Sequence, residues 1–283
     1  MAGNSGGAWM LPRKRRFTSG IGPVCSGITS GLQRGAVLTG LALAGGIALH
    51  AAADDGVKRS FANIEQISDV LARARLAQAG TDNQVKLVQD GQDLKIDAYV
   101  QGQMNRASAK ENMIAQSGDG ATAELRVVGD GNTFAIAQNA ANGPGQNSAS
   151  VSIDGDFNAA DVRQTNDFGP TFSNTASLIQ AGNGNSGTIT QTVSPGTLAV
   201  GANMATITQT GNDNDALIEQ TGADNSASIE QDGDGNRGAI LQDGEGLSAI
   251  LVQTGQALEY TINQTGCVVS SGCGAVSVTQ TGP

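Results

Sequence analysis

An all-β fold, a β-solenoid of about eight rungs with two strands each, is what this sequence predicts, and three observations predict it. From Asn203 to Gly266 the unit N-x-A-x-I-x-Q-x-G recurs every eleven residues, and self-similarity at a fixed period marks a stacked repeat architecture. Within each unit the fixed positions alternate with variable ones, mostly Ser, Thr, Asp and Glu, and period two marks a strand with one common face. Composition agrees: 39% apolar but only 3% aromatic residues, with 40 glycines, suit thin rungs packed with Ala, Ile and Val rather than a deep core.

The units are Asn203-Ala205-Ile207-Gln209-Gly211, Asn214-Ala216-Ile218-Gln220-Gly222, Asn225-Ala227-Ile229-Gln231-Gly233 and Asn236-Gly238-Ile240-Gln242-Gly244, with looser copies ending at Gln253 and Gln264. Each Gly opens a four-residue connection such as Asp232-Gly-Asp-Gly235, rich in turn formers. If each connection reverses the chain, Gln231 meets Asn236, Ile229 meets Gly238 and Ala227 meets Ile240. A large residue then always faces a small one, as interdigitation at native density requires. Two units make one rung of about 22 residues, and rungs stack at roughly 4.8 Å.

The strings Q-T-G-N-D-N-D-A-L-I-E-Q at 209–220 and Q-T-G-A-D-N-S-A-S-I-E-Q at 220–231 resemble the repeat of curlins, the secreted bacterial subunits of curli amyloid fibres. The resemblance covers roughly 81–283. It implies a β-solenoid that polymerises outside the cell after passage through the periplasm. It also implies a place in biofilm matrix and cell adhesion, with a nucleator and an outer-membrane secretion channel as partners beside the chain itself.

Residues 1–53 read as a secretion signal peptide. Arg13, Lys14, Arg15, Arg16 and Arg34 precede an apolar run from Ala36 to Leu49, and Ala51-Ala52-Ala53 supplies a small-x-small cleavage site. The run is short for a membrane span. Removing those five basic residues takes the formal charge from −10 to −15, which disfavours nucleic-acid binding. It also removes the only histidine, His50, and with it any enzyme that uses histidine as base or zinc ligand. The mature chain is expected not to span a membrane.

In 54–80, Phe61, Ile64, Ile67, Leu71 and Ala74 fall at spacings of three and four, with Ser60 as N-cap and Gly80 as stop. This predicts a short amphipathic helix covering the first rung or marking the chain for export. The curlin family has a Gly- and Asn-rich export segment here, which this chain lacks.

From residue 83 sixteen strands can be placed, over 81–283 as a whole. Their Gln-equivalent positions are Gln89, Val100, Gln116, Val127, Gln138, Ile153, Gln164, Gln180, Gln191, Gln209, Gln220, Gln231, Gln242, Gln253, Gln264 and Gln280. The inward aliphatics of the regular part are Ile189, Ile207, Ile218, Ile229, Ile240 and Ile262. The Gln positions from Gln180 on, with Asn203, Asn214, Asn225 and Asn236, are expected to stack as amide ladders that satisfy one another and carry assembly. The stretch 101–116 fits the register worst.

Insertions at Asn139–Gln146, Thr165–Ser173, Thr192–Ala202 and Thr265–Cys273 all follow odd-numbered strands, so these loops leave one edge of the solenoid. Pro144, Pro170 and Pro195 lie in them, and none interrupts a strand. Cys267 and Cys273 share the last; a disulfide-closed loop, two free thiols and a crosslink between subunits are all open. A C-x5-C pair without histidine is a poor metal site.

Asp232-Gly-Asp234-Gly-Asn236 and Asp154-Gly-Asp156-Phe-Asn158 resemble calcium-loop openings, but the first has Arg237 at position six, where Gly is demanded, and no closing Glu. A calcium-binding repeat adhesin would show nonapeptides. An ice-binding solenoid would extend Thr188-x-Thr190 and Thr206-x-Thr208 over every rung, whereas the equivalents become Ser226-x-Ser228 and Arg237-x-Ala239. A structural fibre subunit, without cofactor, metal or catalytic residues, is the reading the residues favour. Strand 275–280 is uncharged and ends at Gly282-Pro283 without a covering helix, an edge on which a copy can add.

Overall fold

The computed structural model describes residues 37–43, 47–51, 60–67, 73–105, 112–118, 120–140, 146–166, 172–193, 201–266 and 274–283. All of them belong to one unit, Gln33–Pro283. Two ten-stranded parallel sheets build it, with alternate strands in alternate sheets. One sheet holds β1 (Val37–Leu43), β3 (Phe61–Ile67), β5 (Gln84–Asp90), β7 (Met113–Gly118), β9 (Thr133–Ala140), β11 (Ala159–Asn166), β13 (Ser186–Val193), β15 (Asp215–Ala223), β17 (Arg237–Glu245) and β19 (Glu259–Thr265). The other holds β2 (Ile47–Ala51), β4 (Arg73–Ala79), β6 (Lys95–Gln101), β8 (Ala121–Val128), β10 (Asn147–Asp154), β12 (Ser173–Ala181), β14 (Ala202–Thr210), β16 (Ser226–Asp232), β18 (Ser248–Thr254) and β20 (Ala275–Thr281). The odd and even sheets face each other, and each rung takes one strand from each.

Each of the sixteen Gln-equivalent positions pairs with its equivalent one rung away. Gln89 pairs with Gln116 and Gln116 with Gln138. Val100 pairs with Val127, Val127 with Ile153 and Ile153 with Gln180. Gln231 pairs with Gln253 and Gln253 with Gln280. Parallel strands in identical register place like on like, so the inward Ile column from Ile189 through Ile218 and Ile240 to Ile262 is continuous and buried. The even sheet opposes it with Ile207 and Ile229. Size alternation shows at the glycines: a Cβ on Gly187 would meet Leu178 at 2.9 Å, and one on Gly238 would meet Leu251 at 3.0 Å.

The helix expected in 54–80 is not there. Phe61–Ile67 and Arg73–Ala79 are β3 and β4. The physical reason is a second periodicity in the same residues. Ala62-x-Ile64-x-Gln66 and Ala74-x-Leu76-x-Gln78 carry the repeat's own alternation, and in β4 Ala74, Leu76 and Gln78 are buried while Arg73 and Arg75 are exposed. A helix could not have bonded the backbone edge of β5, whereas β3 pairs along its full length with Ala62 on Val85, Ile64 on Leu87 and Gln66 on Gln89. The solenoid thus gains a rung before the expected eight. A further rung, β1 and β2, lies within the stretch read as a leader and pairs parallel to β3 and β4.

The stretch 101–116 is settled by its asparagines: Asn105 takes the corner position of its rung, and Asn112 enters β7 after an insertion at 106–111 that lies outside the described residues. The expected long loops all join an odd strand to an even one, hence one corner, although the strands run a residue or more into them, β9 reaching Ala140 and β13 Val193. Pro144, Pro170, Pro195, Cys267 and Cys273 lie outside the described residues.

Candidate functional site: amide ladders, stacked turns and an open rung

Glutamine side chains form two ladders inside the solenoid. In the odd sheet Gln89 donates from Nε2 to Oε1 of Gln116 at 3.1 Å, and the chain of bonds continues through Gln138, Gln164, Gln191, Gln220 and Gln242 to Gln264. In the even sheet it runs Gln180, Gln209, Gln231, Gln253, Gln280 at 2.8 to 3.0 Å. The second N–H of each amide crosses to the opposite sheet: Gln220 donates to the Met204 carbonyl at 3.0 Å and Gln231 to the Asp215 carbonyl at 3.1 Å. That crossing was not foreseen from the sequence, since period two shows which face a side chain takes and not what lies across it. It fastens the two sheets together as well as the rungs.

The even ladder begins at a defect. Ile153 precedes Gln180 in its column, and Gln180 Oε1 is buried without a hydrogen-bond partner. An aliphatic neighbour has no donor to offer, so the orphan acceptor sits where the column changes from Val and Ile to Gln.

Asparagines hold the corners. At the plain corner Oδ1 of Asn185 accepts the backbone N–H of Asn214, and Oδ1 of Asn214 accepts that of Asn236. Their Nδ2 groups donate to the carbonyls of Gly211 and Gly233 in the following rung. At the loop corner Asn203 donates to Asn174 Oδ1 at 3.1 Å and to the Gly222 carbonyl, and Oδ1 of Asn203 accepts from Asn225 N–H. The plain-corner turns read Gly-x-x-Asn, with Leu258 in place of Asn in the last, their Gly at φ from +103° to +132° and their third residue left-handed. That third place takes Asp213, Met104, Phe157 and Ala257 as well as Gly131 and Gly235. The first takes only Gly, because a Cβ on Gly211 would strike the Gly233 carbonyl of the next rung.

The acidic turn residues bond backward. Asp234 Oδ1 accepts the backbone N–H of Asn212 at 2.7 Å and its side-chain N–H at 3.1 Å; Asp156 Oδ1 accepts the Asp130 N–H at 2.8 Å. Asn183 and Asn212 do the same for Asp156 and Asn183. The carbonyl-type oxygen is what this position needs, so Asp234→Asn is expected to hold stability within about 0.5 kcal/mol, and Asp234→Ala to cost about 1 kcal/mol. Urea unfolding of the two variants checks this; equal losses would remove the backward bond as the reason for the residue.

Among the described residues no group of three or more His, Cys, Asp or Glu is placed to hold a metal. A shallow cleft of about 370 Å3 outside the odd sheet is floored by Ala115 and Ala137 and is lined by one carboxylate, Asp90 on β5, with Arg163 three strands away on β11. The two Thr-x-Thr pairs lie on different sheets, Thr188 and Thr190 on β13, Thr206 and Thr208 on β14, so they do not form one array.

The last rung is open. Tyr260 and Val276 occupy inward positions, paired with Gly238 and Ala249, yet are 41% and 38% exposed. Gln264 and Gln280 each donate across to a backbone carbonyl, and among the described residues no further rung accepts from them along the ladder.

A family model described as the curlin associated repeat matches residues 202–233, which are β14 to β16 and the glycine that follows. No match was found among curated proteins or among solved structures. The repeat and the β-solenoid are compatible with a structural subunit of the curli kind, and the repeat's family is structural rather than enzymatic and found in extracellular fibres.

Proposed function

We propose that this chain is a secreted structural subunit of a curli-like extracellular amyloid fibre, adding head to tail through its open rungs. The observation that carries the reading is the rung of β19 and β20, whose inward Tyr260 and Val276 are exposed and whose Gln264 and Gln280 donate to no further ladder amide among the described residues. A second copy is the partner that matches, because each column then meets its own residue types and the ladder amides find acceptors. Such head-to-tail joining does not close and grows a filament. Export through the periplasm and an outer-membrane channel, a surface nucleator, and a place in biofilm matrix and adhesion complete the reading and rest on the curlin repeat. With the leader removed, β3 and β4 are the rung that receives the next copy, and Arg73 and Arg75 on β4 bring positive charge to it.

Residues 164–283 carry eleven acidic side chains and one basic, Arg237. Like charges about 5 Å apart near a surface repel by a few kcal/mol at most, and salt screens much of it. Burial of two strand edges therefore wins, after a lag. Electron microscopy and fibre diffraction on the purified chain should show unbranched filaments with a meridional spacing of about 4.8 Å. Thioflavin kinetics should show the lag shortening with added salt, and calcium acting no more strongly than magnesium at equal ionic strength. A saturable acceleration specific to calcium would point instead to a calcium-dependent adhesin, and the lack of any filament would remove the fibre reading.

A further inference from the structure

Resting on the fibre reading, we infer that the outer face of the even sheet, from β10 to β20, is a lateral interface on which a second filament of the same chain packs face to face. Four exposed large hydrophobic residues stand at outward strand positions among the described residues, Tyr99, Ile179, Met204 and Ile250, and all four lie on this sheet. The remaining exposed ones are Met104 and Phe157 in turns, and Tyr260 and Val276 on the open rung. Three of the four fall in the β10–β20 stretch. Each is flanked along its column by small hydroxyl residues: Ile179 by Ser152 and Thr208, Met204 by Thr175 and Ser226, Ile250 by Ser228 and Ser277. Projecting side chains amid hollows make a surface that can interdigitate with its own copy, as stacked sheets do about 10 Å apart.

Charge selects the partner. Over these rungs the even face bears Asp154 and Asp232 at strand ends and Glu230 between them, and is otherwise Ser, Thr, Ala, Ile, Val and Met. The odd face over β11–β19 bears Asp161, Arg163, Asp215, Glu219, Arg237, Asp243 and Glu259. For a chain of net charge −10, or −15 without its leader, a copy can approach closely only where carboxylates are scarce. Six strands at about 4.8 Å and seven residues at about 3.3 Å give on the order of 600 Å2 per copy, about 1,200 Å2 for the pair, the lower bound of a stable interface. Along a filament the face recurs with every subunit, so modest contacts add.

Mass per length, measured by scanning transmission electron microscopy, tests this. Wild-type filaments are expected to contain two solenoids in cross-section. The triple variant Ile179→Thr, Met204→Thr, Ile250→Thr, which keeps strand propensity and charge, should halve the mass per length and leave elongation rate unchanged. Leu217→Thr with Leu241→Thr on the odd face should leave the mass per length at the wild-type value. Glu230→Gln should raise the fraction of paired filaments. Wild-type filaments of one solenoid, pairs that survive the triple variant, or halving by the odd-face variant would each overturn the inference. Should no filaments form, the fibre reading fails, and the face is read on the soluble chain by sedimentation: a dimer that the triple variant dissociates supports it, and a monomeric wild type overturns it.

Discussion

Gly211→Ala is expected to lower the stability of the folded chain by roughly 2–5 kcal/mol. Two costs combine: a non-glycine residue forced to positive φ, about 1–3 kcal/mol, and overpacking against a backbone that cannot move, about as much again. Gly211 has φ +111°, and its added Cβ would lie against the carbonyl oxygen of Gly233. Gly233 is itself fixed by Gly255 above it. The control is Gly235→Ala, two residues further along the same kind of turn. There φ is +68°, nothing lies within 4 Å, and Ala257 already occupies the equivalent place. That substitution should cost about 1–2 kcal/mol, the left-handed backbone cost alone without the clash. Equilibrium unfolding in urea reads both, and equal losses would show that the stacking of glycine on glycine is not what restricts the first position.

The second large effect is in the glutamine ladder, and it depends on position. Gln220→Leu leaves Gln242 Oε1 without its donor and deprives Gln191 Nε2 of its ladder acceptor, while the bond to the Met204 carbonyl is lost too. One stranded buried acceptor costs about 1–3 kcal/mol, so a total near 3 kcal/mol is expected, with fibre elongation slowed at least several-fold. Gln180→Leu should cost about 1 kcal/mol. Its own Oε1 is already without a partner, so the substitution hands the orphan on to Gln209 rather than adding one. If both variants lose the same stability, the ladder is not acting as a chain of mutually dependent bonds.

Much of this architecture could be read from eleven-residue spacing alone, because in a parallel stack identical register follows from identical sequence. Even Val100, Val127 and Ile153, which break the motif, could be placed, since spacing rather than identity locates them, and they pair as that spacing requires. The error at 54–80 arose where two periods coexist. Phe61, Ile64, Ile67, Leu71 and Ala74 fit a helix, Ala62, Ile64 and Gln66 fit a strand, and only the unpaired edge of β5 decides between them. The backward bonds of Asp156 and Asp234 could not have been read in advance, because an acidic turn looks the same whether its carboxylates face water or the previous rung. Nor could the left-handed third position of the turn, where Phe157 and Met104 stand among Gly and Asp.

Each ladder bond points the same way along the solenoid: an amide N–H directed toward the C-terminal rung meets a C=O directed toward the N-terminal one. Backbone bonds between parallel strands alternate and largely cancel, but these carboxamides add as the peptide units of a helix do, giving a dipole along the axis with its positive pole at β19 and β20. Asp243, Glu245 and Glu259, the last acidic residues of the chain, lie on β17 and β19, at that pole. Carboxylates that repel a neighbouring copy are therefore held in a favourable field within their own, and a subunit joining at that end extends the dipole as it lengthens the stack.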